Sequence, residues 1–240
     1  MRAVDTYTLR ARVVPVLVVC LPPLVLLGAG VVSGSRLGIA SGIIVTVLSA
    51  LAGQLGRDGG RALQDGLWEK WGGSPTLRAF RYRGAASPER VARFHRDVED
   101  VLGDPMPTSE EEEADPAAAD DRYDDATGRL RALTRDKERF PLLFAENVNY
   151  GQRRNLLGLK PVGLIVAGIT LIASVLLLLI AAESLDERAA RYAPAAVAAG
   201  LVLCFWIFVV REAWVRLPAD AYARQLVESV EVLRTAKAGP

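Results

Sequence analysis

Four runs without a charged side chain constrain this chain more than any motif does: Val13–Val32, Leu37–Leu55, Pro161–Ala182 and Ala193–Val210. A hydrocarbon layer about 30 Å thick takes roughly 20 apolar residues of helix to cross, and each run is about that long. Backbone buried in lipid must find its hydrogen-bond partners within its own segment, so each run is expected to be helical. The expected fold class is all-α: a polytopic membrane protein with four transmembrane helices in two pairs, a helical cytosolic insert between them and a C-terminal amphipathic helix. The divisions fall at 1–55 for the N-terminal tail and first pair, 56–160 for the insert, 161–210 for the second pair and 211–240 for the tail.

Basic residues beside a span are retained on the cytoplasmic side. Arg2, Arg10 and Arg12 precede the first run, and Arg57, Arg61 and Lys70 follow the second. Arg153, Arg154 and Lys160 precede the third, and Arg211, Arg216 and Arg224 follow the fourth, whereas the short outer loops hold only Arg36, Arg188 and Arg191. Both termini and the insert are therefore expected in the cytoplasm. The Ala-, Arg- and Gly-rich composition suits a high-GC bacterial genome, hence a bacterial inner membrane. The first run is too long for the core of a signal peptide, and Ser33–Arg36 leads straight into the next span. Pro15, Pro22 and Pro23 each remove a backbone donor, so the first helix is expected to be kinked or locally unwound.

Composition argues against catalysis. Cys20 and Cys204 both sit inside apolar runs, where a thiol behaves as a small hydrophobe. His95 has no companion at metal-ligand spacing, Gly59-Gly60 and Gly72-Gly73 lack the residues of a phosphate loop, and no nucleophile elbow occurs. No enzyme activity, cofactor or metal is expected. Coupled pumps place Asp, Glu, His or Lys inside the membrane, and these runs offer none. A passive pore walled by hydroxyls and apolar side chains, or a purely structural bundle, remains compatible. In the second run small residues recur every four positions. Gly38, Gly42 and Thr46, with Ser49 and Gly53 in a parallel row, mark a pore wall or a close helix contact within or between subunits.

The insert reads as helical. Leu63, Leu67 and Trp71 continue the second span until Gly72-Gly73 stops it, and Ser74-Pro75, Ser87-Pro88 and Asp115-Pro116 are cap-then-proline starts. Val91, Phe94, Val98 and Val101 share a face ending at Gly103, and Thr108 with Glu111 forms a capping-box signature. Tyr123, Thr127, Leu130 and Leu133 mark the next helix. A final one from about Arg139 carries Leu143, Phe144, Val148 and Asn155, while strand patterns are weak apart from the short, poorly alternating run Thr76–Arg83. After Leu217-Pro218, Tyr222, Leu226, Val230 and Leu233 define an amphipathic tail helix.

Charge within the insert is segregated. Ser74–Arg96 holds six arginines against Glu89, or +5, and Asp97–Asp125 holds thirteen acids against Arg122, or −12. Arg78, Arg81, Arg83, Arg90, Arg93 and Arg96 interleave with Phe80, Tyr82 and Phe94, a composition that binds phosphates and stacks bases. The plainer reading is a solvated face, or arginines paired with the acidic stretch. A second patch, Asn147, Asn149, Arg153, Arg154 and Asn155, directly precedes the third span. It reads as a coupling element, as a site for lipid phosphate or a nucleotide, or as simple anchoring with amide hydrogen bonds.

The stretch from Arg139-Phe140-Pro141 through Glu146-Asn147-Val148-Asn149-Tyr150-Gly151-Gln152-Arg153-Arg154-Asn155 to Pro161, together with Trp68–Pro75, resembles four-transmembrane effectors associated with nucleotidyltransferases in bacterial anti-phage defence, of which the Hailong system is one. The resemblance implies a homo-oligomeric ion channel, with a tetramer favoured. A nucleotide or single-stranded DNA made by a partner nucleotidyltransferase would control it. It assigns no ligand residues. The rival reading is a non-conducting membrane scaffold that recruits a cytosolic partner.

Overall fold

The computed structural model describes residues 13–32, 37–183 and 187–238, with side-chain surroundings described for 13–29, 54–182 and 190–237. All regular structure among the described residues is helical: α1 Val14–Val32, α2 Leu37–Lys70, α3 Pro75–Phe80, α4 Pro88–Leu102, α5 Ser109–Ala114, α6 Pro116–Leu133, α7 Pro141–Glu183, α8 Ala193–Cys204 and α9 Glu212–Ala238. A 3₁₀ segment, Glu187–Tyr192, precedes α8, and a π-helical segment, Phe205–Val209, follows it. The chain divides into two compact units. The first comprises the residues up to Gln64 with Gly151–Val215, and the second Asp65–Tyr150 with the chain from Arg216 onward.

In the first unit, two stretches are long and apolar enough to cross a membrane, one ending at Ala182 in α7 and the other at Val209. A soluble protein would bury such helices, yet only 17 % of the most apolar part of each is buried. Ile165, Ile169, Ile172, Val197, Leu201 and Phe208 are each at least 60 % exposed. An exposed apolar surface of this kind marks a contact with a membrane or with another protein. α1 is a shorter apolar helix. Its helical assignment continues through Pro22 and Pro23, so the anticipated local unwinding is not found there. The missing donors leave the carbonyls of Val18 and Val19 without their usual i+4 partners.

α1 packs along α8, where Ala195 and Ala199, one turn apart, are fully buried and let the backbones approach. Gly163 of α7 forms the hole for Trp206: a Cβ there would lie 2.6 Å from the indole Nε1. α2 meets α7 backbone to backbone. A Cβ on Gly158 would lie 2.7 Å from the Gly59 carbonyl carbon, and one on Gly56 would lie 2.8 Å from the Leu159 side chain. This close contact on α2 runs through Gly56, Gly59 and Gly60, to which the sequence reading gave no packing role. Gly38, Gly42, Thr46, Ser49 and Gly53 lie outside the described residues as regards their surroundings.

In the second unit, local chemistry sets the helix ends. α2 stops where Gly72 and Gly73 take positive φ of 79° and 124°. Ser74, Ser87 and Asp115 each accept a hydrogen bond from a first-turn N–H, with proline next in line. The Thr108–Glu111 capping box is formed, and Gly103 closes α4 at φ 82°. Replacing Ser87 with alanine removes its bond to the Arg90 N–H and is expected to cost about 1 kcal/mol in thermal unfolding.

The core of this unit joins Phe80, Phe94, Val98, Tyr123, Leu130, Phe140 and Leu143 to Leu226 and Val230 of α9. α9 is further tied to α4 by the Arg234–Asp97 ion pair at 2.9 Å and by Lys237 Nζ donating to the Asp100 carbonyl at 2.7 Å. Leu133, anticipated on the buried face of α6, is 50 % exposed at the last residue of that helix.

Candidate functional site

The six arginines of the basic segment separate into three environments. Arg81 makes a bidentate pair with Asp120, Nε and Nη2 each at 2.7 Å, and its Nη1 donates to the Gly72 carbonyl. Arg83 also donates to Asp120 and lies 3.9 Å from Glu112. These two pairs join the basic segment to the acidic one, as the plainer reading of the sequence anticipated. Arg93 and Arg96 are exposed on the face of α4 opposite its buried Val91, Phe94, His95 and Val98.

Arg78 and Arg90 remain. They share a cleft of about 670 Å³ with Arg224 of α9, over a floor that includes Ala79, Ala223 and Val227. Asp220 and Glu228 also line it. Asp220 stands 3.7 Å from Arg78 and 3.4 Å from Arg216, much looser than the Asp120 fork, and Gln225 donates to Glu228 at 2.7 Å. Arg90 and Arg224 form no ion pair among the described residues and are exposed. The cleft is thus a set of three guanidiniums, two of them uncommitted, around an apolar floor. Arginine forks bind phosphate and carboxylate well. Arg224 escaped the sequence reading as a site residue because it lies far along the chain. Its only signal was its place outside the Tyr222–Leu226–Val230 face.

The aromatic residues of the basic segment do not form a stacking surface. Phe80 is fully buried and Phe94 is 8 % exposed, both in the core. Tyr82 sets its edge against the His95 ring, centroids 4.9 Å apart. His95 is buried, with Nε2 2.8 Å from the Phe80 carbonyl and Nδ1 3.2 Å from that of Pro107. Burial holds its pKa below the ordinary histidine value, although both carbonyls and the nearby Glu112 and Glu99 favour the charged ring.

Glu112 is the anchor beneath the basic segment. The residue is 2 % exposed, and its carboxylate accepts from the Tyr82 N–H at 2.8 Å, the Arg83 N–H at 3.0 Å and the Tyr123 hydroxyl at 2.8 Å. Burial would raise its pKa, but these three donors and Arg83 together hold it below the usual carboxylate range.

The predicted coupling patch falls across the division between the units, which lies between Tyr150 and Gly151. In the second unit Asn147 is exposed, and Asn149 donates to Glu146 at 3.4 Å. In the first, Arg153 donates to the Trp214 carbonyl at 2.9 Å and lies 4.7 Å from its ring centroid. Arg154 donates to Gln64, and Asn155 is buried beside Gly60. Lys160 donates to the Val210 carbonyl at 2.7 Å, where the π segment ends, a favourable place for a cation. These side chains tie α7 to α2 and to the segment after the last apolar run. Among the described residues no group of three or more His, Cys, Asp or Glu side chains could hold a metal ion. No family model, curated protein or solved structure matches the chain.

Proposed function

We propose that the chain is an oligomeric membrane effector, a ligand-controlled ion channel of a bacterial inner membrane acting in anti-phage defence. It has four spans, with the second unit and both termini in the cytoplasm. The observation that carries the membrane part is the outward-facing apolar surface of the two long helices. Regulation through the second unit is supported by its basic cleft and by α7, one helix from Pro141 to Glu183 that carries the whole amide-rich patch. Pore opening would need no proton or ion coupling, because the apolar runs hold no ionisable side chain except the two cysteine thiols.

Purified protein in a planar bilayer is expected to carry current that changes when a nucleotide or oligonucleotide from the partner enzyme is added or removed. Asn149→Ala and Arg154→Ala should uncouple the response while leaving insertion unchanged. If no condition yields current while cells remain protected, the chain acts instead as a scaffold.

A further inference from the structure

We infer that the Arg78–Arg90–Arg224 cleft takes a small polyphosphate recognised by its phosphates and not by a base. The inference rests on the reading of the second unit as the regulated part of the protein. Four observations carry it. Arg81 and Arg83 are held by Asp120, so two of the six arginines of the basic segment are not free to meet the phosphates of a strand. None of the residues lining the cleft is aromatic, so it lacks the stacking platform that single-stranded nucleic acid requires. Its volume, about 670 Å³, falls within the range of small-molecule sites.

The fourth observation concerns charge. Arg90 and Arg224 are uncommitted, and Arg78 is held only by a 3.7 Å contact to a carboxylate that Arg216 also approaches. An exposed pair of that kind contributes little, so Arg78 can leave Asp220 to Arg216 and turn to an incoming anion. Three guanidiniums suit two or three linked phosphates better than one. Asp220 and Glu228 also line the cleft and offset part of this charge, so an anion gains most when it engages all three arginines.

The test is calorimetric titration of the full chain in zwitterionic nanodiscs, without divalent cations, using ATP, GTP, AMP, tripolyphosphate and a short oligo(dA) as probes. ATP and GTP should bind within about threefold of each other, and AMP at least about tenfold more weakly. Tripolyphosphate should compete, and binding should weaken with added salt. The double variant Arg90→Gln, Arg224→Gln should lose at least about tenfold in ATP affinity, while Arg93→Gln should match the parent protein. Thermal unfolding of each variant separates loss of binding from loss of fold.

The inference is overturned by undetectable ATP binding, by AMP binding as well as ATP, by a tenfold preference between bases, or by indifference to the double variant. Oligo(dA) binding through Arg90 and Arg224 without triphosphate binding would sink it and leave the regulated channel standing. Triphosphate binding that never alters current would do the reverse.

Discussion

Leucine in place of Gly158 is expected to break the pairing of α2 with α7 in the first unit. The glycine faces the backbone of Gly59 and Gly60, and even a methyl there would lie 2.7 Å from a backbone carbon. Backbone cannot step aside as a side-chain tip can, so the helices must separate along the crossing. Overpacking costs about 1–3 kcal/mol in an adaptable core, and this site belongs at the upper end. In a chain of this size, 3 kcal/mol corresponds to a fall of about 6–12 °C in Tm. Gly168 on the same helix is the control: a Cβ there meets nothing within 4 Å, and Gly168→Leu should leave Tm unchanged. A Gly158→Leu protein melting within about 2 °C of the parent would mean that the crossing is not as close as described.

Glu112→Ala should be the most damaging single change in the second unit. It strands two backbone N–H groups and the Tyr123 hydroxyl in a buried setting. At about 1–3 kcal/mol for each unsatisfied group, the loss should reach about 3–5 kcal/mol. The same carboxylate makes the unit sensitive to acid. Glu112 and Asp120 both titrate below their ordinary values of 4.5 and 3.8: burial opposes this, and the donors around each outweigh it. The unfolded chain therefore takes up these protons first. Their stabilisation is complete above the ordinary carboxylate range and disappears as pH falls through the lowered folded values.

His95 adds an earlier step of the same sign. Burial lowers its pKa from 6.5, so stability declines as pH falls below that value toward the folded pKa. Circular dichroism melts across pH should show two declines. Glu112→Gln should shrink the lower one and His95→Gln should remove the upper one. A single decline unaffected by either substitution would contradict the assignment.

Most helix boundaries were legible because their causes are local. A serine or aspartate before proline, and a glycine after an amphipathic run, act within four residues, and α3, α4 and α6 begin where those signals stand. What distant segments do to one another was not legible. Phe80 and Phe94 lie among arginines in the sequence and suggested base stacking, but their neighbours in space are Tyr123, Leu130 and Leu226. Which arginines Asp120 would claim depended on the α3–α6 contact, and Arg224 joined Arg78 only through the docking of α9 within its unit. The run Gly56…Gly59-Gly60 could have been recognised as a helix contact, since Gly56 and Gly60 are four apart. The partner glycine, Gly158, is nearly a hundred residues away and is signalled only by the absence of a side chain.

The chain contains one histidine, and that residue lies 3 % exposed among the rings of Phe80, Tyr82, Phe94 and Tyr123, centroids 4.9–6.1 Å away. Ring currents from four aromatic neighbours displace the imidazole carbon-bound protons from their positions in a free peptide. Proton magnetic resonance of the unlabelled protein therefore offers one pair of signals that belongs to the second unit's interior alone. Their position reports whether that interior is assembled, and their drift with pH reports the ring's charge. The molecule carries its own spectroscopic probe.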